Sequence, residues 1–221
     1  MSGLILQPST GPADWQRHLA EPNLHWKPGR SAMETAMSWE GAKGLPAEIG
    51  TVLPGMELLQ AIVEYPVFLP GGGNVSKNDV FALLRDDDGL IVCMVEAKRD
   101  EPFGPRLSEW LLGASEGKRI RLKAICDCLG LDPDAVPGST RYQLLHRAAS
   151  AVLTARAYRT TRAIVLVQSF SPEAKWFADF AFFCSLFDRE AGQGRLVSAE
   201  LPGNCSLELG WVTSPLMATP T

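Results

Sequence analysis

Residues 87–104 read DDGLIVCMVEAKRDEPFG, and the way this stretch is folded decides how the rest of the chain is read. An apolar run rich in β-branched residues, of the kind that lies buried in a sheet, finishes on Glu96 and Lys98. Side chains two apart on a strand share a face, so these charges project together. A second apolar run, DVFALL (residues 79–84), precedes it, and the RDDDG between them is turn chemistry, so the pair reads as a β-hairpin. A turn at Asp87 and Asp88 sets Asp79 opposite Glu96, whereas a turn at Asp88 and Gly89, which local preference favours, sets it opposite Lys98. Either even-length turn puts Asp79, Glu96 and Lys98 on one face, and an odd-length loop would not.

Two carboxylates and an ammonium at one end of an apolar hairpin have a specific chemical use. Hard oxygen ligands hold Mg²⁺ or Mn²⁺ beside a phosphate, and a lysine orients or deprotonates an attacking water. A plainer reading is that Glu96 and Lys98 mark the strand's emergence into solvent while Asp79 caps the preceding turn. Spacing alone leaves both open.

Upstream, residues 1–30 form an irregular arm. SAME (residues 31–34) has the spacing of a capping box, with Ser31 as cap and Glu34 three positions on, so a helix is expected from Ser31 to about Gly41. A short helix after Pro46 and an extended segment over residues 56–68 follow, ending at the turn-rich LPGGGN. Downstream, helices are expected over residues 107–129, broken near Gly113, and over residues 141–158. A strand covers residues 163–170, an aromatic helix starts at Pro172, and weaker strands lie near residues 196–201 and 206–212. Hairpin strands apolar on both faces need cover on both sides, so helices should flank a mixed four-stranded sheet.

The chain has 221 residues, 46% hydrophobic and 21% charged, which fits one globular domain: an arm (1–30), a core (31–187) and C-terminal strands with a tail (188–221). No run of about 18 apolar residues and no secretory leader pattern is evident, so a cytoplasmic protein without membrane partners is expected. Five scattered cysteines argue against a disulfide framework. The net charge of −4 does not announce nucleic acid, although basic residues concentrate between Lys98 and Arg162.

Asp79, the intervening hairpin and Glu96-Ala97-Lys98 resemble the D…(D/E)xK signature of the PD-(D/E)xK nuclease superfamily, and the element order resembles its restriction-endonuclease-like αβββαβ core. Local stretches SKNDVF, VEAKRDEPFG, RYQLLHR and SFS are similar to an uncharacterised bacterial branch near these nucleases. The residue before Asp79 is Asn78 rather than proline, a departure that members of the superfamily often share. The resemblance implies metal-dependent hydrolysis of phosphodiester bonds in nucleic acid, DNA before RNA, with Asp79 and Glu96 on Mg²⁺ or Mn²⁺ and Lys98 at the attacking water.

Many such nucleases take another carboxylate from the first helix, for which Glu34 and Glu40 are candidates. Six helical positions turn through about 600°, so the two cannot face one point. Gln143 and Arg147 form an i,i+4 pair that suits phosphate or support of the carboxylates, and Arg141 joins them as a candidate nucleic-acid contact. Gln168, polar in an apolar strand, needs partners and has either a structural or a site-facing role. His146 reads as packing, and GGGNVSK (residues 71–77) as a loop leading to Asp79. The aromatic helix suits the core or a homodimer interface. The rival to a nuclease is a catalytically inactive protein that keeps the fold to bind nucleic acid or protein.

Overall fold

A computed structural model describes residue 7, residues 9–73 and residues 75–217. After a 3-10 helix (Pro12–His18) and the short α1 (Pro22–His25) come α2 (Ser31–Gly41) and α3 (Ala47–Val52). Strands β1 (Glu57–Val67), β2 (Ser76–Asp86) and β3 (Gly89–Lys98) follow, then helices α4 (Leu107–Trp110), α5 (Glu116–Leu129) and α6 (Tyr142–Ala157). The chain ends with β4 (Arg162–Ser169), α7 (Phe177–Ser185), β5 (Leu196–Leu201) and β6 (Cys205–Thr213).

The six strands form one mixed sheet in the order β1-β2-β3-β4-β6-β5. The first three are antiparallel, β3–β4 and β4–β6 are parallel, and β5 returns antiparallel to β6. Four strands were expected, and the correction comes from β6. It lies against β4 with Leu207, Leu209 and Trp211 buried on one face, but Glu208 and Gly210 dilute the apolar pattern that would announce a central strand. Gly210 is demanded by packing, since a Cβ there would lie 2.6 Å from Leu196 and 2.7 Å from Leu166.

Helices cover both faces. Phe81, Met94, Val165 and Val167 pack with α6, whose Ala148, Ala151 and Ala155 let it sit close to the sheet. Val80, Val95, Ile164 and Leu166 pack on the other face with Trp39 of α2 and Ile49 of α3. Two helix starts differ from expectation. Arg30, not Ser31, precedes the first turn of α2: Ser31 Oγ donates to Glu101 instead, and the Glu34 carboxylate accepts the Gly29 and Met217 N–H groups at 3.0 and 2.7 Å. Helix α7 begins five residues after Pro172, behind Trp176 in a left-handed conformation. Among the described residues no helix is long and apolar enough to cross a membrane.

The hairpin turns at Asp87 and Asp88, with Asp86 paired to Gly89, so the register is the one that sets Asp79 toward Glu96 rather than Lys98. Local preference loses to tertiary contact. Asp86 accepts the Asp88 N–H at 3.0 Å and is gripped at both oxygens, at 2.6 Å each, by Arg162 from the start of β4.

Candidate active site

The β2–β3 ladder runs from Asp86–Gly89 to Val80–Val95 and then opens. One residue beyond, Asp79 Oδ2 accepts the Ala97 N–H at 2.7 Å, so a side chain takes over where backbone pairing ends. β3 stays anchored on its other edge, paired with β4 as far as Lys98–Ser169. The opening is therefore a one-sided cleft in a continuous sheet.

Glu96, 1% exposed, is the centre of the cluster. Its Oε1 accepts Lys98 Nζ at 2.6 Å and Gln143 Nε2 at 2.7 Å, and its Oε2 is bonded to Arg147 Nε. Gln143 and Arg147 lie one turn apart at the start of α6 and reach down onto β3 together. Burial alone would raise the Glu96 carboxyl, but Arg147 and Lys98 outweigh it and hold it down to about 2. Lys98 Nζ also stands 5.4 Å from the centre of the Phe103 ring.

Asp79 behaves in the opposite sense. Burial first, and then the negative charge of Glu96, raises its carboxyl from 3.8 to about 8, against the pull of Lys98. Its Oδ1 has no hydrogen-bond donor among the described residues. Glu64 of β1 lies between the pairs Val63–Val80 and Tyr65–Asn78, which places it across from Asp79, so three adjacent strands present Glu64, Asp79 and Glu96 in a row. Burial raises Glu64 as well, to about 7. With φ at +52° Glu64 sits in the left-handed region, at a cost of roughly 1–3 kcal/mol for a residue with a side chain.

The row opens into a cavity of about 210 Å³ bounded by Glu64, Asp79, Glu96, Lys98 and Gln143. Its remaining wall comes from α2, through Ser31, Ala32 and Thr35, and from the arm, through Trp15, Leu19, Ala20 and His25. Trp15 is buried and donates to Glu40 at 2.7 Å. The candidates on the first helix are thus placed away from the carboxylate row: Glu40 ties down the arm, and Glu34 binds backbone of the arm and the C-terminal segment.

Gln168 is buried on the α2 face, where it accepts from Trp39 Nε1 and donates to Ser38 and Ser214, each at 3.1 Å. It does not line the carboxylate cavity. Arg141 is turned toward Asp179 at 2.8 Å, the Gly104 carbonyl at 2.8 Å and the Trp176 ring. Arg147 is spent on Glu96 and Ser76 rather than presented to solvent, and His146 accepts or donates at Ser76 Oγ, 2.9 Å away. Among the residues of the cavity, the arm's contribution was invisible in the sequence because an irregular segment has no period to read. Glu64 was visible only as a glutamate on an extended segment.

The family described as Domain of unknown function (DUF6946) matches residues 8–216. No curated protein and no solved structure matches the chain.

Proposed function

The chain belongs to the DUF6946 family, a domain of unknown function, and we propose from its own geometry that it is a metal-dependent phosphodiesterase acting on nucleic acid, with a site of PD-(D/E)xK type. The observation that carries this reading is the placement of Asp79 and Glu96 across the splayed end of one hairpin, with Lys98 in the same cavity. The donor set fits a hard divalent cation. It is made of carboxylate oxygens, Asp79 Oδ1 is left without a donor, and the carboxyls of Asp79 and Glu64 are raised by burial first and by the charge of Glu96 after it. Among the described residues no three His, Cys, Asp or Glu side chains form a ready cage, so one or two carboxylates with waters is the coordination to expect, as is usual for Mg²⁺.

Asp79 and Glu96 would hold Mg²⁺ or Mn²⁺, which would supply Lewis acidity toward a phosphoryl oxygen. The chain's own groups do the rest. Glu96 holds Lys98 Nζ at 2.6 Å and so aims a charged donor into the cavity, where it orients a water for attack. Gln143 and Arg147 keep the Glu96 carboxylate in one orientation, and Arg147 with Lys98 keeps it deprotonated. The arm forms one wall of the cavity.

A second reading, a non-catalytic binding module, draws on one specific observation: Glu96 is already balanced by two cations, Lys98 and Arg147, without a metal. Calorimetric titration with Mg²⁺ and Mn²⁺, followed by incubation with single- and double-stranded nucleic acid, separates the two. The enzyme requires metal binding that Asp79→Asn abolishes and cleavage that Lys98→Met abolishes. Absence of metal binding near neutral pH, with or without nucleic acid, leaves the binding module.

A further inference from the structure

The carboxylate cavity does not stand alone. Gln143 also borders a second cavity of about 480 Å³ that contains Lys77 and Arg147. This one shares Val75, Tyr142 and His146 with a third of about 470 Å³, walled by the glycine loop, Trp110 and Lys118. The three adjoin in a line that crosses the first turn of α6. Their charges divide sharply: the carboxylates gather in the first, and neither of the others has an Asp or Glu among its described lining residues.

Two lysines along this line, Lys77 and Lys118, make no ion pair with a carboxylate among the described residues. Lys118 donates to the Trp110 carbonyl at 2.6 Å and lies 5.2 Å over the Trp110 ring, and both partners are neutral. Arg121 binds the loop through the carbonyls of Leu69, Pro70 and Gly72.

The groove is also a built surface. Gly71 and Gly117 pack backbone to backbone, and a Cβ on either would lie 2.2 or 2.5 Å from the other's carbonyl oxygen. That contact seats the loop on the first turn of α5. Trp110 is stacked on Tyr142 at 3.9 Å and has Lys118 5.2 Å over its ring, so Tyr142 already takes one face of the indole. What the groove offers is charge and shape.

The geometry points to a single nucleic-acid strand as the ligand, its scissile phosphate at the carboxylate cavity and its flanking phosphates beside Lys77 and Lys118. The inference rests on the phosphodiesterase reading for the orientation of the strand, and on the groove for its binding. A single strand fits because the cavity that holds the carboxylates is about 210 Å³ and is walled by the arm and α2, room for one stretch of backbone and not for the width of a duplex. Recognition through phosphate predicts binding that is indifferent to base and steeply dependent on salt.

The test is fluorescence anisotropy of the full chain with labelled oligothymidylate, oligouridylate and a DNA duplex, in EDTA so that binding is read without hydrolysis. Lys77→Gln and Lys118→Gln should each weaken single-strand binding and lower the slope of log affinity against log salt by about 0.7, the share of one phosphate contact. Arg85→Gln, at the exposed pair with Glu57 on the far end of β2, should change neither. Binding of either single strand in preference to the duplex supports the inference. Unchanged slopes in both lysine variants, or tighter binding of the duplex, overturn it.

Cleavage is measured separately with Mg²⁺. Lysine variants that lose binding in a protein that cuts nothing keep the groove and remove the phosphodiesterase. Cleavage that ignores both lysines does the reverse.

Discussion

The two ends of the β2–β3 hairpin carry nearly the same ingredients and use them in opposite ways. At the turn, Asp86 meets the guanidinium of Arg162 in a two-point pair open to water, and hydrogen bonding to Arg162 lowers its carboxyl. At the splayed end, Glu96 and Lys98 are withdrawn from water with Asp79 half-buried beside them, and one carboxyl is driven up while the other is driven down. The first is a charge pair that fixes a register. The second sets two neighbouring carboxyls apart, one raised by burial and one held down by two cations, which is how acid–base sites are built.

The largest expected effect comes from breaking the buried end. Glu96→Ala leaves Arg147 and Lys98 buried without their counter-ion and should lower the unfolding free energy by about 3–5 kcal/mol, measured by urea denaturation, together with complete loss of cleavage. An unchanged stability would mean that this triad is not dry, and the contrast between the two ends would collapse.

Asp79→Asn should separate function from stability. The amide keeps an acceptor for the Ala97 N–H, so on the phosphodiesterase proposal cleavage and metal binding should be lost while the fold is retained. The sign of its pH dependence follows from the raised carboxyl. Between about pH 4 and 8 the folded protein keeps a proton that the unfolded chain has released, so the stability due to Asp79 is complete below that window and is lost as pH rises through it. Wild type should therefore weaken more than Asp79→Asn across this range in metal-free buffer, and Mg²⁺ should restore wild type alone. Equal slopes for the two proteins would refute the raised carboxyl. Glu96 works the other way: its contribution is present above about pH 4.5 and is lost as pH falls toward about 2.

The smallest effect belongs to the turn. Asp86→Ala removes a half-buried pair far from the carboxylate row, so its unfolding midpoint should move least of the three variants and, if the chain cleaves, its rate should match wild type. A large loss of activity would show that the register set by Arg162 is transmitted to Asp79.

The arrangement of Asp79, Glu96 and Lys98 was legible in advance because β-strand geometry turns a spacing of two into a shared face, and a hairpin turn into a pairing. Which of the two even registers holds was not legible, since Arg162, some 70 positions downstream, overrides the local preference for an aspartate-glycine turn. Gln143 and Arg147 were readable as a stripe on one helix face, but not their target, because periodicity describes a helix and says nothing of the strand beneath it. The arm's residues and the left-handed Glu64 left no periodic trace.

By itself, then, the sequence determined the elements, the hairpin and the gathering of three charged groups at its end, because these depend on local pattern and strand parity. Only the tertiary structure decided that two more strands join the sheet, that Glu34, Glu40, Gln168 and Arg141 are spent on holding segments together, and that Arg147 is buried on Glu96. The physical reason is common to all of these. A buried polar group must find a partner, and the partner it finds is set by which segments pack together, not by its neighbours along the chain.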